Sequence, residues 1–299
     1  MKTKIAAVII LFILIGFVYF MKTKTLSTEL VHAIPVHIES PGEGEGGPEF
    51  EEEVLSLIAD VNTRNKMVQS LTCNEVTIQA THEGGIPITL WSELHYQKDR
   101  RFRMVNRSRM GKEMDVGSNE EQFWFWSKRM RPPTLYYADH SDLIKVPLRP
   151  PLNPLWLMEC MSVSKVDTKN AKARKHGDFW AIYQSRVSTL GTLMTKMTLI
   201  DPEHKRIVGH YLYDNEDNLI ASNELLEFAD CAGTSVPVKS KMCWHEEGVV
   251  MIFEFADLAI NSQIKEELWA MPPSWNKQDM AELTPQFLQD HGTPFLFHL

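Results

Sequence analysis

The chain has 299 residues, of which 43% are hydrophobic, 10% aromatic and 23% charged, and its formal net charge is −8. A disordered chain has far fewer aromatic and aliphatic residues for its charge, so the bulk of this one folds, and its length allows one large domain or two small ones. Four lysines and no acids fall in the first 24 residues, which leaves −12 on the remainder, a poor match for nucleic acid, whose phosphates need clustered Lys and Arg.

Lys2 and Lys4 precede an apolar run from Ile5 to Met21 that Lys22 and Lys24 close. The run reaches the lower limit of about 17 residues for crossing a bilayer core and exceeds the ~7 to 15 residues of a secretory signal. Phe20, Met21 and Lys22 stand where signal cleavage needs small residues, so residues 1–24 are expected to form an uncleaved membrane anchor in preference to a cleaved signal. The short N-terminal tail stays inside, which puts the body outside the cytoplasm. Residues 25–48 end in a Gly/Pro-rich stretch from Ser40 to Pro48 that supports neither helix nor ladder strand, and they read as a flexible linker.

From Glu49 the apolar spacing becomes helical, with Phe50, Val54, Leu57, Ile58, Val61, Val68 and Leu71 on one face and Glu49, Glu51, Glu52 and Glu53 at the positive N-terminal end. After Cys73 the period falls to two. Val76, Ile78 and Ala80 share a face, Glu83 to Gly85 make a turn, and Ile86, Ile88 and Leu90 follow in a second run, which together read as a hairpin. Further strands are expected at 100–107, 113–118, 122–127 and 134–138, with connections too short for parallel crossovers. A Pro-rich loop from Val146 to Pro154 leads into a short apolar helix holding Leu155, Trp156, Leu157, Met158 and Met161, which would serve as a lid or plug. Strands resume at 162–167, 179–186, 193–201, 206–213, 219–228, 236–244 and 249–258, and the turn-forming runs at 201–204 and 214–218 mark hairpin tips.

This order specifies a β-rich α+β fold, a single curved antiparallel sheet forming an unclosed half-barrel with helices packed over its concave face, preceded by the N-terminal transmembrane helix. The domain is expected over 49–273, with a C-terminal extension at 274–299. Phe123 and Phe125 alternate with Trp124 and Trp126, so the sheet is either covered on both faces there or lines a greasy cavity with one of them.

Motifs for chemistry are sparse. Cys243 to Glu247 lacks the second histidine of a zinc site, 214–218 lacks the glycine and distal glutamate of a calcium loop, and no nucleophile elbow or phosphate-binding glycine loop occurs. Neither metal nor cofactor is expected, and the chain reads as a non-enzyme. Cys73, Cys160, Cys231 and Cys243 contain no CxxC pair, and Cys231 and Cys243 could join neighbouring strands or remain separate thiols. Alternation points Arg101, Arg103 and Arg107 the same way, as a polar strand face or as a contact for lipid phosphates. Asn106 to Ser108 matches the glycosylation sequon.

The opening helix ending near Met67 to Leu71 and running straight into a strand, the aromatic strand Glu121 to Ser127, and the segment Glu254 to Asn261 running to Trp269 and Pro272 together resemble the LolA/LolB-like superfamily of bacterial lipoprotein-sorting carriers. The resemblance covers about 49–273, and its last segment corresponds to the family's closing strand. It implies an open antiparallel barrel with helices as a lid over a hydrophobic cavity that holds the acyl chains of lipids or lipoproteins. It also implies a periplasmic body, here on a single-pass bacterial inner-membrane anchor, or soluble in the periplasm if the segment is cleaved. Parity nominates Ile88, Leu90, Phe102, Met104, Phe123, Phe125, Leu157 and Met158 as lining residues. The alternative on the same scaffold is a non-catalytic envelope sensor or interaction module with a protein partner.

Overall fold

The computed structural model describes residues 52–282, apart from 83–84, 99, 109, 129–131, 143–153, 160, 188–192, 232 and 275. The expected anchor at 1–24, the linker at 25–48, the Pro-rich loop up to residue 153 and Cys160 lie outside the described residues.

Helix α1 (Glu52–Met67) buries Val54, Leu57, Ile58 and Val61, the stripe that the 3.6-residue period marks, with Glu52 and Glu53 in its first turn and Arg64 and Lys66 in its last, as the helix dipole favours. It ends before Val68, so the expected helical face stops short and Leu71 belongs to the next strand. The first meander is β1 (Ser70–His82), β2 (Ile88–Gln97), β3 (Arg101–Ser108), β4 (Gly111–Ser118), β5 (Gln122–Ser127) and β6 (Leu135–Asp139). Helix α2 (Pro154–Glu159) follows, then β7 (Ala171–His176), β8 (Phe179–Val187), β9 (Leu193–Asp201), β10 (Arg206–Tyr213), β11 (Leu219–Cys231), β12 (Thr234–Trp244) and β13 (Val249–Phe255). Two short strands, β14 (Leu258–Ile260) and β15 (Lys277–Asp279), complete the set.

All belong to one sheet in the order β15-β6-β5-β4-β3-β2-β1-β13-β12-β11-β10-β9-β8-β7, with β14 set against β1. Two sequential meanders are thus joined at their centre by the antiparallel pair β1–β13, in which Ile78 faces Phe253. The edges at β7 and β15 do not meet, and the β-rich class and single unclosed sheet agree with the half-barrel expectation. One pair departs from the antiparallel rule. β15 runs parallel to β6, and it comes from the segment after residue 273.

Two expectations are corrected, and one strand is added. Residues 162–167 form no strand, because side chains of α1 take their backbone groups: Asn62 accepts from the Val166 N–H at 2.8 Å and donates to its carbonyl at 3.0 Å, and Asn65 donates to the Ser164 carbonyl at 2.9 Å. The expected closing segment, Glu254 to Asn261 running to Trp269 and Pro272, is strand only as far as Ile260, and its end is a 3-10 turn, Glu266–Trp269, that lies on β3 and buries Trp269. Strand β7 has no apolar residue beyond its two alanines, which hid it from a periodicity reading.

The face carrying both helices, called inner here, holds the core. One cluster runs from β6 across β1 to β12 and under α2, and a second sets α1 against Trp180, Ile182, Ile200, Ile207 and Leu225. The helix–strand junction is tied by Asn261, held at φ 56°, whose side chain accepts from the Gln69 N–H at 2.8 Å and donates to the Met67 carbonyl at 2.9 Å. At the hairpin tips Asp201 and Asp214 accept backbone N–H groups two to four residues on, the Asx geometry their sequence signalled.

Candidate functional site

Register defines the inner face residue by residue. Leu94 on β2 faces Met104 on β3, then Val116 on β4, Phe125 on β5 and Tyr136 on β6, and the neighbouring row runs Tyr96, Phe102, Ser118, Phe123 and Ala138. At the other end of the strands Ile88 and Leu90 face Ala80 and Ile78 on β1. Phe102, Met104, Phe123 and Phe125 are therefore buried together in one cluster, while Ile88, Leu90 and Met158 of α2 pack against it half buried. Of the eight nominated residues only the side chain of Leu157 lies outside the described set.

The segment following α2 is fastened across this face by polar side chains that periodicity did not single out. The Lys196 ammonium meets a Glu159 carboxylate oxygen at 2.5 Å, with the two side chains only 6% and 12% exposed. Asn223 donates to the Glu159 carbonyl at 3.3 Å, and His210 bridges Ser162 at 3.1 Å and Thr198 at 3.3 Å through its two ring nitrogens. Lys196, Thr198, His210 and Asn223 occupy inner positions of β9, β10 and β11, as the pairs His210–Thr198 and His210–Asn223 show. A polar residue at an inner parity position is the signal that would have found them.

The outer face is also covered, as the aromatic alternation of β5 allowed. Trp124 is fully buried and donates through Nε1 to Asp115 at 3.2 Å. Arg103 makes a two-pronged contact to the same carboxylate at 3.2 and 2.8 Å, Lys112 adds a second cation at 2.9 Å, and Arg103 also reaches the Leu268 carbonyl at 2.8 Å. Burial pushes the Asp115 carboxyl up, and the Arg103 and Lys112 charges outweigh it, leaving it below the ordinary carboxylate range. Arg101 contacts Glu120 and Glu266, and Arg107 contacts Glu93 at 2.8 Å. Arg101, Arg103 and Arg107 are thus each partnered by a carboxylate, which favours the polar strand face over a phosphate contact.

No cluster of potential metal ligands occurs among the described residues, and Cys73, Cys231 and Cys243 are free thiols. Burial raises the Cys73 and Cys243 thiols, which makes them poor nucleophiles. The Ser118–His140 pair, 3.1 Å apart, is not a nucleophile and base. His140 Nε2 lies 2.8 Å from the Asn119 carbonyl, so that nitrogen carries a proton and has no lone pair for Ser118. No helix among the described residues is long and apolar enough to cross a membrane.

No family model and no curated protein matches the sequence. Solved structures do. A LolA superfamily protein from Nitrosomonas europaea superposes with a TM-score of 0.50 at 10% identity, covering 73% of this chain and 97% of that one. A DUF1329 family protein from Desulfovibrio piger matches with a TM-score of 0.50 at 12% identity over 74% of this chain and 98% of its own. The fold is LolA-like, as the order of helix and strands suggested.

Proposed function

We propose that this chain is an extracytoplasmic binding protein that holds the acyl chains of lipids or lipoproteins between the inner face of its sheet and α2, for transfer or sorting in the bacterial envelope. Its N-terminal segment tethers it to the inner membrane, and the linker at 25–48 sets its reach. The observation that carries the reading is the apolar inner face itself. A continuous field of large side chains spans both meanders, is capped by a short apolar helix, and is bordered by the half-buried Ile88, Leu90 and Met158. Fold likeness to a LolA superfamily protein supports it.

Binding of this kind draws on burial alone, about 0.8 kcal/mol for each methylene taken from water, and needs no covalent step. Ile88, Leu90, Phe102, Met104, Phe123, Phe125, Leu157 and Met158 would line the acyl site. The test is native mass spectrometry with lipid extraction on the full chain purified from a bacterial envelope in mild detergent. Phospholipid or acylated peptide at near one per chain is expected. A chain that carries none and takes up no added lipid would overturn the reading and favour an envelope sensor that binds a protein partner.

A further inference from the structure

Asn106 on β3 is 1% exposed, lies at an inner-face position and makes no hydrogen bond through either side-chain atom. Its cross-strand partner Ser92 on β2 is 4% exposed, and its hydroxyl is equally unpaired. Neighbouring apolar positions show what this floor would be in a plain core. The inner residues flanking Asn106 and Ser92 along their strands are Met104, Leu90 and Leu94. A buried amide without partners pays its desolvation with no return, and native proteins leave few such groups. More donors enter the same apolar cluster: the Ser240 hydroxyl and the indole N–H groups of Trp156 and Trp244 are buried and unpaired. The sequon that contains Asn106 is shielded from any glycosylating enzyme by this burial, so its amide is not explained as a modification site.

We infer that Asn106 and Ser92 form a polar subsite in the floor of the acyl site, built for an acyl chain joined through an amide. This rests on the proposed acyl-binding role and specifies its ligand. A carboxamide presents a donor and an acceptor together, and a secondary amide in the ligand answers both, its carbonyl accepting from Asn106 Nδ2 and its N–H donating to Oδ1. An ester has no N–H, so it satisfies the Asn106 and Ser92 donors and leaves Oδ1 bare. An amide also loses more hydration than an ester on entering an apolar site. A preference for the amide is thus the opposite of what an unspecialised greasy cavity would show.

The experiment compares N-methylmyristamide with methyl myristate, near-isosteres that differ in N–H against O, by displacement of a fluorescent fatty acid from the full chain in amphipol. Amphipol particles without protein correct for partition of each probe into the amphipol. The wild type is expected to bind the amide about 10-fold more tightly than the ester, and Asn106→Leu to bring the ratio below 2-fold while retaining the ester. Ser92→Ala, a smaller change, lowers the ratio about 3-fold and serves where Asn106→Leu does not fold. Equal binding of both probes by the wild type overturns the subsite and leaves the acyl-binding role standing. Binding of neither probe overturns both.

Discussion

Gly117 on β4 lies directly across the ladder from Trp124 on β5, so close that a Cβ on Gly117 would sit 2.1 Å from the indole ring. The ring cannot retreat, because its Nε1 is hydrogen-bonded to the fully buried Asp115 and Arg103 packs over it. Gly117→Ala is therefore expected to destabilise the fold by about 1 to 3 kcal/mol through overpacking, read as a lower thermal midpoint with the fold retained. An unchanged midpoint would mean that the indole is free to move.

The strap after α2 is held by the Lys196–Glu159 pair, and removing one partner leaves a largely buried charge alone. Lys196→Met is expected to cost about 3 kcal/mol, and the double variant with Glu159→Met less than the sum of the two single changes. Hydrogen exchange checks the location of the effect: protection should fall first in 154–167. Loss spread evenly over the sheet would contradict a local fastening role.

Asn261 joins the end of α1, the start of β1 and the start of the segment that leads to the Trp269 turn. Asn261→Ala removes its side-chain bonds to Gln69 and Met67 and places alanine at positive φ, so a loss of about 1 to 2 kcal/mol is expected in a denaturant titration. Asn261→Gly, which relieves the backbone cost, should lose less.

Three histidines contribute to the acid limit of stability, His95 buried, His140 half-buried and His245 nearer the surface. Burial lowers His95, His140 and His245 below their ordinary value of 6.5, so below that pH the unfolded chain binds protons that the folded one refuses. Stability should fall as pH drops from 7 toward 5. Asp115, held below its ordinary 3.8 by Arg103 and Lys112 against the opposing effect of its burial, adds a contribution that is complete above about pH 4 and lost as pH falls through its folded value. At the alkaline end burial raises Tyr211 and Tyr213, so unfolding should set in as pH rises past 10, where the unfolded chain ionises first. Thermal midpoints measured from pH 2 to 11 test all three limbs, and a flat profile between pH 7 and 5 would contradict the lowered histidine values.

Much of the fold was legible because its strands alternate. In β1 apolar Val76, Ile78 and Ala80 repeat every second residue, while β5, over 122–127, stands out as a short aromatic run between polar ends. Hairpin tips at Asp201 and Asp214 followed from residues that turn the chain by bonding their own backbone. What periodicity could not supply was pairing over long range. Nothing local shows that β1 closes on β13, that Asn62 would take the backbone of Val166 away from the sheet, or that Lys277–Asp279 runs parallel to β6. The site was half legible for the same reason. Parity placed Phe102, Met104, Phe123 and Phe125 on one face, but reading only apolar residues passed over Ser92, Asn106, Lys196 and His210, which share that face.

The central claim, that the inner face takes acyl chains, is tested most directly by feeding bacteria that express the full chain a diazirine-bearing palmitate, irradiating the cells and mapping the adducts by peptide mass spectrometry. The acyl-binding account predicts adducts within 88–125 and 154–163, where the nominated residues of β2, β3, β5 and α2 lie, and their loss when Phe102→Asp and Phe125→Asp charge the site. Adducts confined to residues 1–24 would show that lipid meets only the N-terminal segment, and would contradict it.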